Sequence, residues 1–386
     1  MNPHVRFQDG PFAEALDSIR RLDEKGYFYE MEIAADYYAL EAEVEKICFG
    51  GGCSVMVTPN VKGETLYCRN YDYNHFPYGK ITATTDLTGL DVIVHARNPQ
   101  AKYESLGVAD AYWLDAVGGT FFAGVLDDEE TDISRAAIMP FVCMDGINTA
   151  GLAVGILALS PDGDWQPVEY VEYADLDDET KKATILLKRE AMRPWRDVGE
   201  VENGTLVFNV YEKLGWKFVQ RPSVEQKVPG RPTLTQTTLM RRFLDYCGTV
   251  EEAIALAQET NVKAPLSILN FHLVVADRSG RSVVMEWVDD KLRVNDIDHV
   301  TNFYVTRRGS RAHGGDRDQV LAAALDRWPY GMPEYAAKGA LQVCAANLPL
   351  TKIGSFTYWS SIYNLSQGTL KLWHMTDYDK CYEFKL

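Results

Sequence analysis

Cys53, Arg69 and Asp72 are the residues whose types and spacing best fit covalent chemistry in this chain. The thiolate of a cysteine is its nucleophilic form, and a neighbouring guanidinium favours the thiolate by lowering the thiol pKa. Asp72 follows Arg69 by three residues, so that a cysteine, an arginine and an aspartate come from one short segment. This combination indicates a cysteine nucleophile with a charged environment already built around it.

The segment that carries these residues is predicted to be a β-hairpin. Residues 53–58 and 64–71 have strand-like composition and flank Pro59-Asn60-Val61-Lys62-Gly63, which has the chemistry of a turn. If Thr58 pairs with Glu64, then Cys53 lies directly opposite Arg69, with Cβ atoms about 5 Å apart. The hairpin therefore predicts direct contact between thiol and guanidinium.

Two other interpretations of Cys53 stay open on the residues alone. An isolated cysteine is usually a small buried apolar side chain. His75 offers a second base, and a Cys53–His75 pair would give a conventional thiol enzyme that needs no processing.

Composition excludes several functional classes. A net charge of −16 disfavours binding to nucleic acid or to an anionic membrane surface. The seven cysteines are odd in number and form no CxxC pair, which is typical of free thiols in a reducing compartment. The histidines show no HxxxH or HExxH spacing, so we expect neither a metal site nor another cofactor. We see no signal peptide or membrane-spanning run and expect a cytoplasmic protein.

Residues 1–52 differ from the rest of the chain in their pattern of apolar residues. Apolar residues at helical spacing predict helices over Ala13 to Glu24 and over Ile33 to Ile47. The segment ends in Phe49-Gly50-Gly51-Gly52, a flexible stretch directly before Cys53. We interpret residues 1–52 as a helical N-terminal extension and a candidate propeptide, and 53–386 as the main domain.

Residues 53–386 are predicted to alternate between hairpins and helices. Further hairpins are predicted around the turns Asp145 to Gly151 and Asp277 to Gly280, and between residues 357–364 and 369–375. Predicted helices cover 235–247, 250–259, 317–327 and 333–345, and residues 160–235 are predicted to hold loops and helices at the rim of a site. Antiparallel strands with helices clustered between them favour an α+β layered domain.

Six motifs, in order along residues 53–386, resemble the choloylglycine hydrolase and penicillin V acylase family. These are linear amide C–N hydrolases of the N-terminal-nucleophile (Ntn) superfamily. The motifs are Gly52-Cys53-Ser54 followed by Arg69-Asn70-Tyr71-Asp72, then Asp145 to Gly155, the hairpin Phe271 to Glu286, Val300-Thr301-Asn302, Asp316-Arg317, and Thr357 to Asn364.

The resemblance implies an Ntn-hydrolase αββα four-layer sandwich, with two stacked and mostly antiparallel sheets flanked by helices. It also implies that Cys53 becomes the mature N-terminus and acts as nucleophile through its thiol and as base through its α-amine. Arg69 and Asp72 would set the protonation of thiol and amine, and Asn302 would donate to the oxyanion. Arg317 matches another active-site arginine of the family.

One position departs from the family pattern. The strand after Asp145-Gly146-Ile147-Asn148 supplies the second oxyanion donor in the family, usually from Asn or Tyr, and the aligned residue here is Ala158. Only a backbone N–H is available at that position, so the substrate class that the family side chain selects is open for this chain.

The expected reaction is hydrolysis of a linear amide in a small N-acyl compound through a thioester on Cys53, after removal of residues 1–52. The candidate substrates are a bile-salt conjugate, a penicillin V-like compound and an N-acyl amino acid or amine. Homo-oligomers are common in the family. Two alternatives stay open: an acyltransferase that uses the same acyl-enzyme, and an unprocessed latent or binding protein whose N-terminal segment plugs the site.

Overall fold

The computed structural model describes thirteen stretches of the chain. These are residues 10–41, 52–73, 91–111, 133–159, 163–167, 199–202, 205–211, 216–220, 227–263, 271–289, 291–307, 314–346 and 356–386.

Twenty-one strands and five α-helices form the described part of the chain. The strands are β1 (Arg20–Arg21), β2 (Phe28–Ile33), β3 (Gly52–Pro59), β4 (Thr65–Tyr73), β5 (Asp91–Ala96), β6 (Ser105–Asp110), β7 (Cys143–Asn148), β8 (Ala153–Ala158), β9 (Gly163–Pro167), β10 (Gly199–Glu202), β11 (Thr205–Tyr211), β12 (Trp216–Gln220), β13 (Thr233–Thr235), β14 (Asn261–Lys263), β15 (Phe271–Ala276), β16 (Ser282–Val288), β17 (Lys291–Asp296), β18 (His299–Val300), β19 (Phe356–Asn364), β20 (Thr369–His374) and β21 (Tyr382–Lys385). The helices are α1 (Pro11–Asp17), α2 (Gln236–Tyr246), α3 (Val250–Gln258), α4 (Gly315–Arg327) and α5 (Glu334–Cys344), with 3-10 helices at Tyr37–Leu40 and Ile133–Val142.

Two large sheets organise these strands. One has nine strands in the order β1-β2-β5-β6-β7-β8-β15-β16-β17, and the other has six in the order β18-β3-β4-β19-β20-β21. Neighbouring strands in both sheets are antiparallel, apart from β2 and β5, which run parallel. This confirms the predicted α+β class with two mostly antiparallel sheets.

The two sheets stack on each other, and helices cover their outer faces. β3 of the six-stranded sheet packs on β8 of the nine-stranded sheet. Helix α2 packs on β7, β8 and β15, whereas α4 and α5 pack on β3, β4, β18 and β19. The order of layers is therefore helix, sheet, sheet, helix, which confirms the predicted αββα sandwich.

Alternation along β3 and β4 separates two hydrophobic cores. Val55 and Tyr67 point between the sheets and join the main core. Met56 and Cys68 point the other way and pack in a second core with Leu341 of α5. Because successive side chains of a strand face opposite sides, each side chain of the hairpin points toward one of these two cores.

The predicted pairing of the first hairpin is wrong by two residues. Cys53 pairs with Tyr71, and Arg69 pairs with Val55. The reason lies in the turn, where Oδ1 of Asn60 accepts hydrogen bonds from the backbone N–H groups of Lys62 and Glu64. This side chain closes a turn that begins one residue later than predicted. A shift of two residues leaves every side chain on its predicted face.

The helices predicted within residues 1–52 are wrong over most of their described length. The chain there forms the short helix α1, the strands β1 and β2, and a 3-10 turn at Tyr37–Leu40, and residues 42–47 lie outside the described residues. Strand β2 pairs along its whole length with β5, from Phe28 opposite Asp91 to Ile33 opposite Ala96. Pairing with a strand that is distant in sequence overrides the helical spacing of the local residues.

The prediction for residues 160–235 is also wrong in part. Strands β9 to β12 form a separate four-stranded sheet in the order β10-β11-β12-β9. Strand β13 pairs in parallel with β14 in a two-stranded sheet. The strands in this region are only three to seven residues long, so the local sequence pattern is ambiguous between strand and other structure.

The helices and hairpins predicted from residue 236 onward are confirmed within one or two residues. Helices α2, α3, α4 and α5 lie at the predicted positions, as do the β15–β16 and β19–β20 hairpins. Thr249 caps α3 by accepting a hydrogen bond from the backbone N–H of Glu252. Among the described helices, none is long and apolar enough to cross a membrane.

Substitution of Phe28 tests whether the N-terminal segment is part of the core. Its side chain is fully buried and stacks on His374, with ring centroids 4.8 Å apart. We expect Phe28→Ala to lower the free energy of unfolding by about 3 kcal/mol, measured by urea denaturation. Glu32→Ala, at the exposed position of the same strand, is the matched control and should change it little. Equal effects of the two substitutions would contradict the buried placement of β2.

Candidate active site

Cys53 lies near the start of β3, between the two sheets, and only 1% of it is exposed. Nη2 of Arg69 lies 3.4 Å from its Sγ, within reach of a charge-assisted hydrogen bond to sulfur. The predicted contact between thiol and guanidinium is therefore present, although it runs diagonally across the hairpin because Cys53 itself pairs with Tyr71.

Arg69 is fully buried and is held by backbone carbonyls of the opposite sheet. Nη2 donates to the carbonyl of Ile156 at 2.6 Å, and Nη1 donates to that of Met144. A Cβ built on Gly155 would lie 2.5 Å from Nη1, which is closer than real Cβ contacts allow. Gly155 is thus explained by the close approach of the arginine and of the Tyr67 hydroxyl, which would lie nearer still.

Asp145 supplies the counter-charge of Arg69. Nε of Arg69 lies 3.2 Å from Oδ2 of Asp145, and both side chains are fully buried. The Asp145 carboxylate also accepts hydrogen bonds from the indole N–H of Trp359, at 3.0 Å, and from the hydroxyl of Tyr363. Burial raises the pKa of Asp145, and Arg69 is the largest influence that opposes this rise. A buried ion pair needs such additional donors, because each charge has lost its hydration.

The role of Asp145 differs from the sequence prediction, which places it in a turn. The motif did place Asp145 and Gly155 together, and the structure pairs them across β7 and β8. The available signal was the requirement that an arginine in an apolar strand have a carboxylate partner.

Arg317 approaches Cys53 from the opposite side of the hairpin. It lies in the first turn of α4, and its Nη1 donates both to the carbonyl oxygen of Cys53 and to Oδ2 of Asp72, each at 2.9 Å. Oδ1 of Asp72 accepts a second hydrogen bond, from Thr357, at 2.5 Å. Arg69 and Arg317 therefore flank one cysteine from the two faces of the strand, each paired with its own aspartate.

Asn302 connects the backbone of Cys53 to the neighbouring sheet. Its Oδ1 accepts from the backbone N–H of Cys53 at 2.8 Å and from Nη2 of Arg317 at 2.7 Å. Its Nδ2 donates to the carbonyl of Ala158 at 2.6 Å. The structure thus brings Cys53, Arg69, Asp72, Asn302, Arg317 and Ala158 together.

Glu286 fixes the segment that follows Asn302. Its carboxylate accepts hydrogen bonds from the backbone N–H groups of Val305 and Thr306, each at 2.8 Å, and lies 3.2 Å from Nδ1 of the buried His272. Burial is the largest single influence on the pKa of Glu286 and raises it. Hydrogen bonds from His272 and from this segment together outweigh burial, so the pKa lies below its usual range. The sequence placed His272 and Glu286 in a motif without indicating this role.

Burial outweighs the expected lowering of the thiol pKa by Arg69. Burial raises the pKa of Cys53, and the cation of Arg69 opposes this rise without cancelling it. The carboxylate of Asp72 adds to the rise. Burial likewise raises the pKa of Asp72, with Arg317 as the main opposing influence. Desolvation, which the sequence does not reveal, is the largest contribution at both groups.

Two other sequence expectations concern the alternative base and a metal site. His75, the alternative base, lies outside the described residues. Among those that are described, we find no group of three or more His, Cys, Asp or Glu side chains that could hold a metal ion.

Two substitutions should move the thiol pKa in opposite directions. Arg69→Gln removes the cation that favours the thiolate, so the pKa of Cys53 should rise further. Asp72→Asn removes an anion that disfavours the thiolate, so the pKa should fall. The measurement is the pH dependence of alkylation at Cys53, resolved by peptide mass spectrometry, with circular dichroism as the check on folding. Shifts in the same direction would contradict this electrostatic arrangement.

Comparison with family models finds a match over part of the chain. Residues 215–302 match the model of the linear amide C-N hydrolases, choloylglycine hydrolase family. This range ends at Asn302 and contains the β15–β16 hairpin with His272 and Glu286. Comparison with curated proteins finds no match.

The chain is also similar to solved structures at low sequence identity. Two variants of conjugated bile acid hydrolase from Clostridium perfringens are 12% and 11% identical, with TM-scores of 0.47 and 0.48, and each comparison covers 86% of this chain and 92% of the other. Penicillin V acylase from Agrobacterium tumefaciens is 14% identical, with a TM-score of 0.43 and 83% of each chain covered.

The match of residues 215–302 therefore confirms the resemblance to the linear amide C-N hydrolases of the choloylglycine hydrolase family, and it supports amide hydrolysis as the general type of reaction.

Proposed function

We propose that this protein is a cysteine Ntn hydrolase that cleaves a linear amide in a small N-acyl compound through a thioester on Cys53. The observation that carries the proposal is the convergence on Cys53: Arg69 contacts its sulfur, Asn302 accepts from its backbone N–H, and Arg317 donates to its carbonyl. Any buried backbone N–H and carbonyl needs a hydrogen-bond partner, but a cysteine that was only a small core residue would not need a cation at its sulfur.

Maturation is proposed to begin at the peptide bond between Gly52 and Cys53. The thiol of Cys53 adds to the carbonyl carbon of Gly52, the C–N bond breaks, and the nitrogen of Cys53 becomes a free α-amine. Water then hydrolyses the resulting thioester, which leaves a carboxylate on Gly52 and restores the thiol. In the uncut chain Gly52 pairs with Asp72 and Cys53 is buried, which supports a closed precursor that has to be cut before it accepts substrate.

The α-amine is the proposed general base of the mature enzyme. An α-amine has a pKa of about 8, so about a tenth of it is unprotonated at pH 7 and can accept the thiol proton. The base matters here because burial raises the thiol pKa, and an unaided thiol would stay protonated. Oδ1 of Asn302 already lies 2.8 Å from the nitrogen that would become this amine.

In the proposed reaction the thiolate attacks the amide carbon of the substrate and forms a tetrahedral intermediate. Nδ2 of Asn302 and the backbone N–H of Ala158 are the proposed donors to its oxygen, and Arg69 and Asp72 set the charge around the sulfur. The C–N bond then breaks, the leaving amine takes the proton from the α-amine, and water hydrolyses the thioester. Nδ2 carries two hydrogens and donates to the carbonyl of Ala158 in the uncut chain.

Intact mass and N-terminal sequencing of wild type and Cys53→Ala test the maturation step. We expect the wild type to yield a chain that begins with Cys53 and Cys53→Ala to stay joined to Gly52. Hydrolysis of a conjugated bile salt, penicillin V or an N-acyl amino acid should fall on the order of 10⁴-fold or more in the alanine variant. Cys53→Ser is the matched variant, because its hydroxyl provides an attacking atom of similar size at the position of the thiol.

Other outcomes of the same experiment would point to the alternatives. A wild type that stays full length and still hydrolyses amides would contradict the α-amine mechanism and favour a Cys53–His75 pair. An uncut and inactive wild type would favour a latent binding protein. If an added amine acceptor captures the acyl group in preference to water, the protein is an acyltransferase.

Substitution of Asn302 separates its two proposed roles. Asn302→Asp keeps an oxygen that accepts from Cys53 but loses the donor Nδ2, whereas Asn302→Ala loses both. If Nδ2 donates to the oxyanion, both variants should lose about 10²- to 10³-fold in kcat. Retention of wild-type kcat by Asn302→Asp, measured on chains shown by mass to be cut, would remove the oxyanion role.

A further inference from the structure

Residues 10–41 are built into the same nine-stranded sheet as the residues around the site. Strand β2 lies between β1 and β5, and it pairs with β5 through six successive residues. Phe28, Met31 and Ile33 are fully buried. A segment that only covered the entrance of a site would not contribute an interior strand of the sheet.

Contacts to the six-stranded sheet hold the segment from a second direction. The ring of Phe28 stacks on His374 of β20 and meets the edge of Tyr382 of β21 at a centroid distance of 4.9 Å. His374 in turn lies 2.7 Å from Asp91, the residue opposite Phe28 in the β2–β5 pairing. Departure of β2 would uncover this aromatic contact as well as the hydrogen-bonding edge of β5.

Polar contacts hold the end of the segment against helix α2. The hydroxyl groups of Tyr37 and Tyr38 both donate to the carboxylate of Asp245, at 2.8 to 2.9 Å. Asp245 is fully buried and is also paired with Arg241 at 2.7 Å. Without the segment, this buried carboxylate would lose both hydroxyl donors, and a buried charge that loses its donors is strongly unfavourable.

We propose that residues 10–41 remain bound after the Gly52–Cys53 bond is cut, so that the mature enzyme consists of two chains that are held together without a covalent bond. The proposal rests on the proposed function for the cut itself. It replaces the sequence-based expectation that residues 1–52 are removed. The N-terminal segment is then a permanent structural partner of the chain that begins with Cys53, and its interface is the edge of β5 with the pockets around Phe28 and Tyr37.

The test compares the cut protein under native and denaturing conditions. After cleavage, gel filtration followed by a denaturing gel and mass spectrometry should show both chains in one peak at a ratio of one to one. Met31→Ala, at a fully buried position, should weaken retention at least about tenfold during repeated filtration. Glu32→Ala, at the exposed neighbouring position, is the control and should retain the segment as the wild type does.

A second preparation separates this proposal from the proposed maturation. A site for a sequence-specific protease, inserted between Glu41 and Gly52 in the full chain, allows the cut to be made whether or not Cys53 makes it. If the wild type never cuts itself but the engineered chain keeps residues 10–41 after proteolysis, then the maturation step is wrong and the retention stands. Loss of the segment from a cut chain that stays folded by circular dichroism would overturn the retention.

Discussion

The ion pair between Arg69 and Asp145 is the interaction on which the site depends. Both side chains lie fully buried between the sheets, where a single unpaired charge is strongly unfavourable, and loss of one partner of a buried pair typically costs about 3 to 5 kcal/mol. Trp359 donates to the carboxylate, and the carbonyls of Met144 and Ile156 accept from the guanidinium. This network holds the guanidinium of Arg69 in one position, beside the sulfur of Cys53.

The period of two along a strand explains why two arginines reach one cysteine without competing. Arg69 belongs to the face of β4 that points between the sheets, whereas Asp72 belongs to the face toward the helices and meets Arg317 there. Arg69 therefore acts on the sulfur of Cys53, and Arg317 acts on its backbone carbonyl. Each cation carries its own carboxylate, so their positive charges are balanced before any thiolate forms. Burial is the main reason why the thiol pKa is raised, and the Asp72 carboxylate adds to the rise.

The sequence predicted the side chains that meet at the site better than it predicted their register. The faces of the first hairpin depend only on alternation. The prediction that Arg69 contacts Cys53 is therefore correct, although the predicted pairing is wrong by two residues. Strand β2 could not be predicted from local spacing, because its partner β5 lies about sixty residues further along the chain. Asp145 was missed for a similar reason, since its role appears only when two sheets bring it to Arg69. The rise in the pKa of Cys53 depends on burial by both sheets, which no short segment reveals.

Chemical trapping of the acyl-enzyme is the most direct test of the central claim, which is that Cys53 is a nucleophile assisted by its own amino group. The enzyme would be quenched in acid during turnover of an N-acyl substrate, digested, and mapped by mass spectrometry. The account predicts an acyl group on the sulfur of Cys53, in a peptide whose amino terminus is Cys53 itself. An acyl group on another residue, or on Cys53 still joined to Gly52, would contradict it.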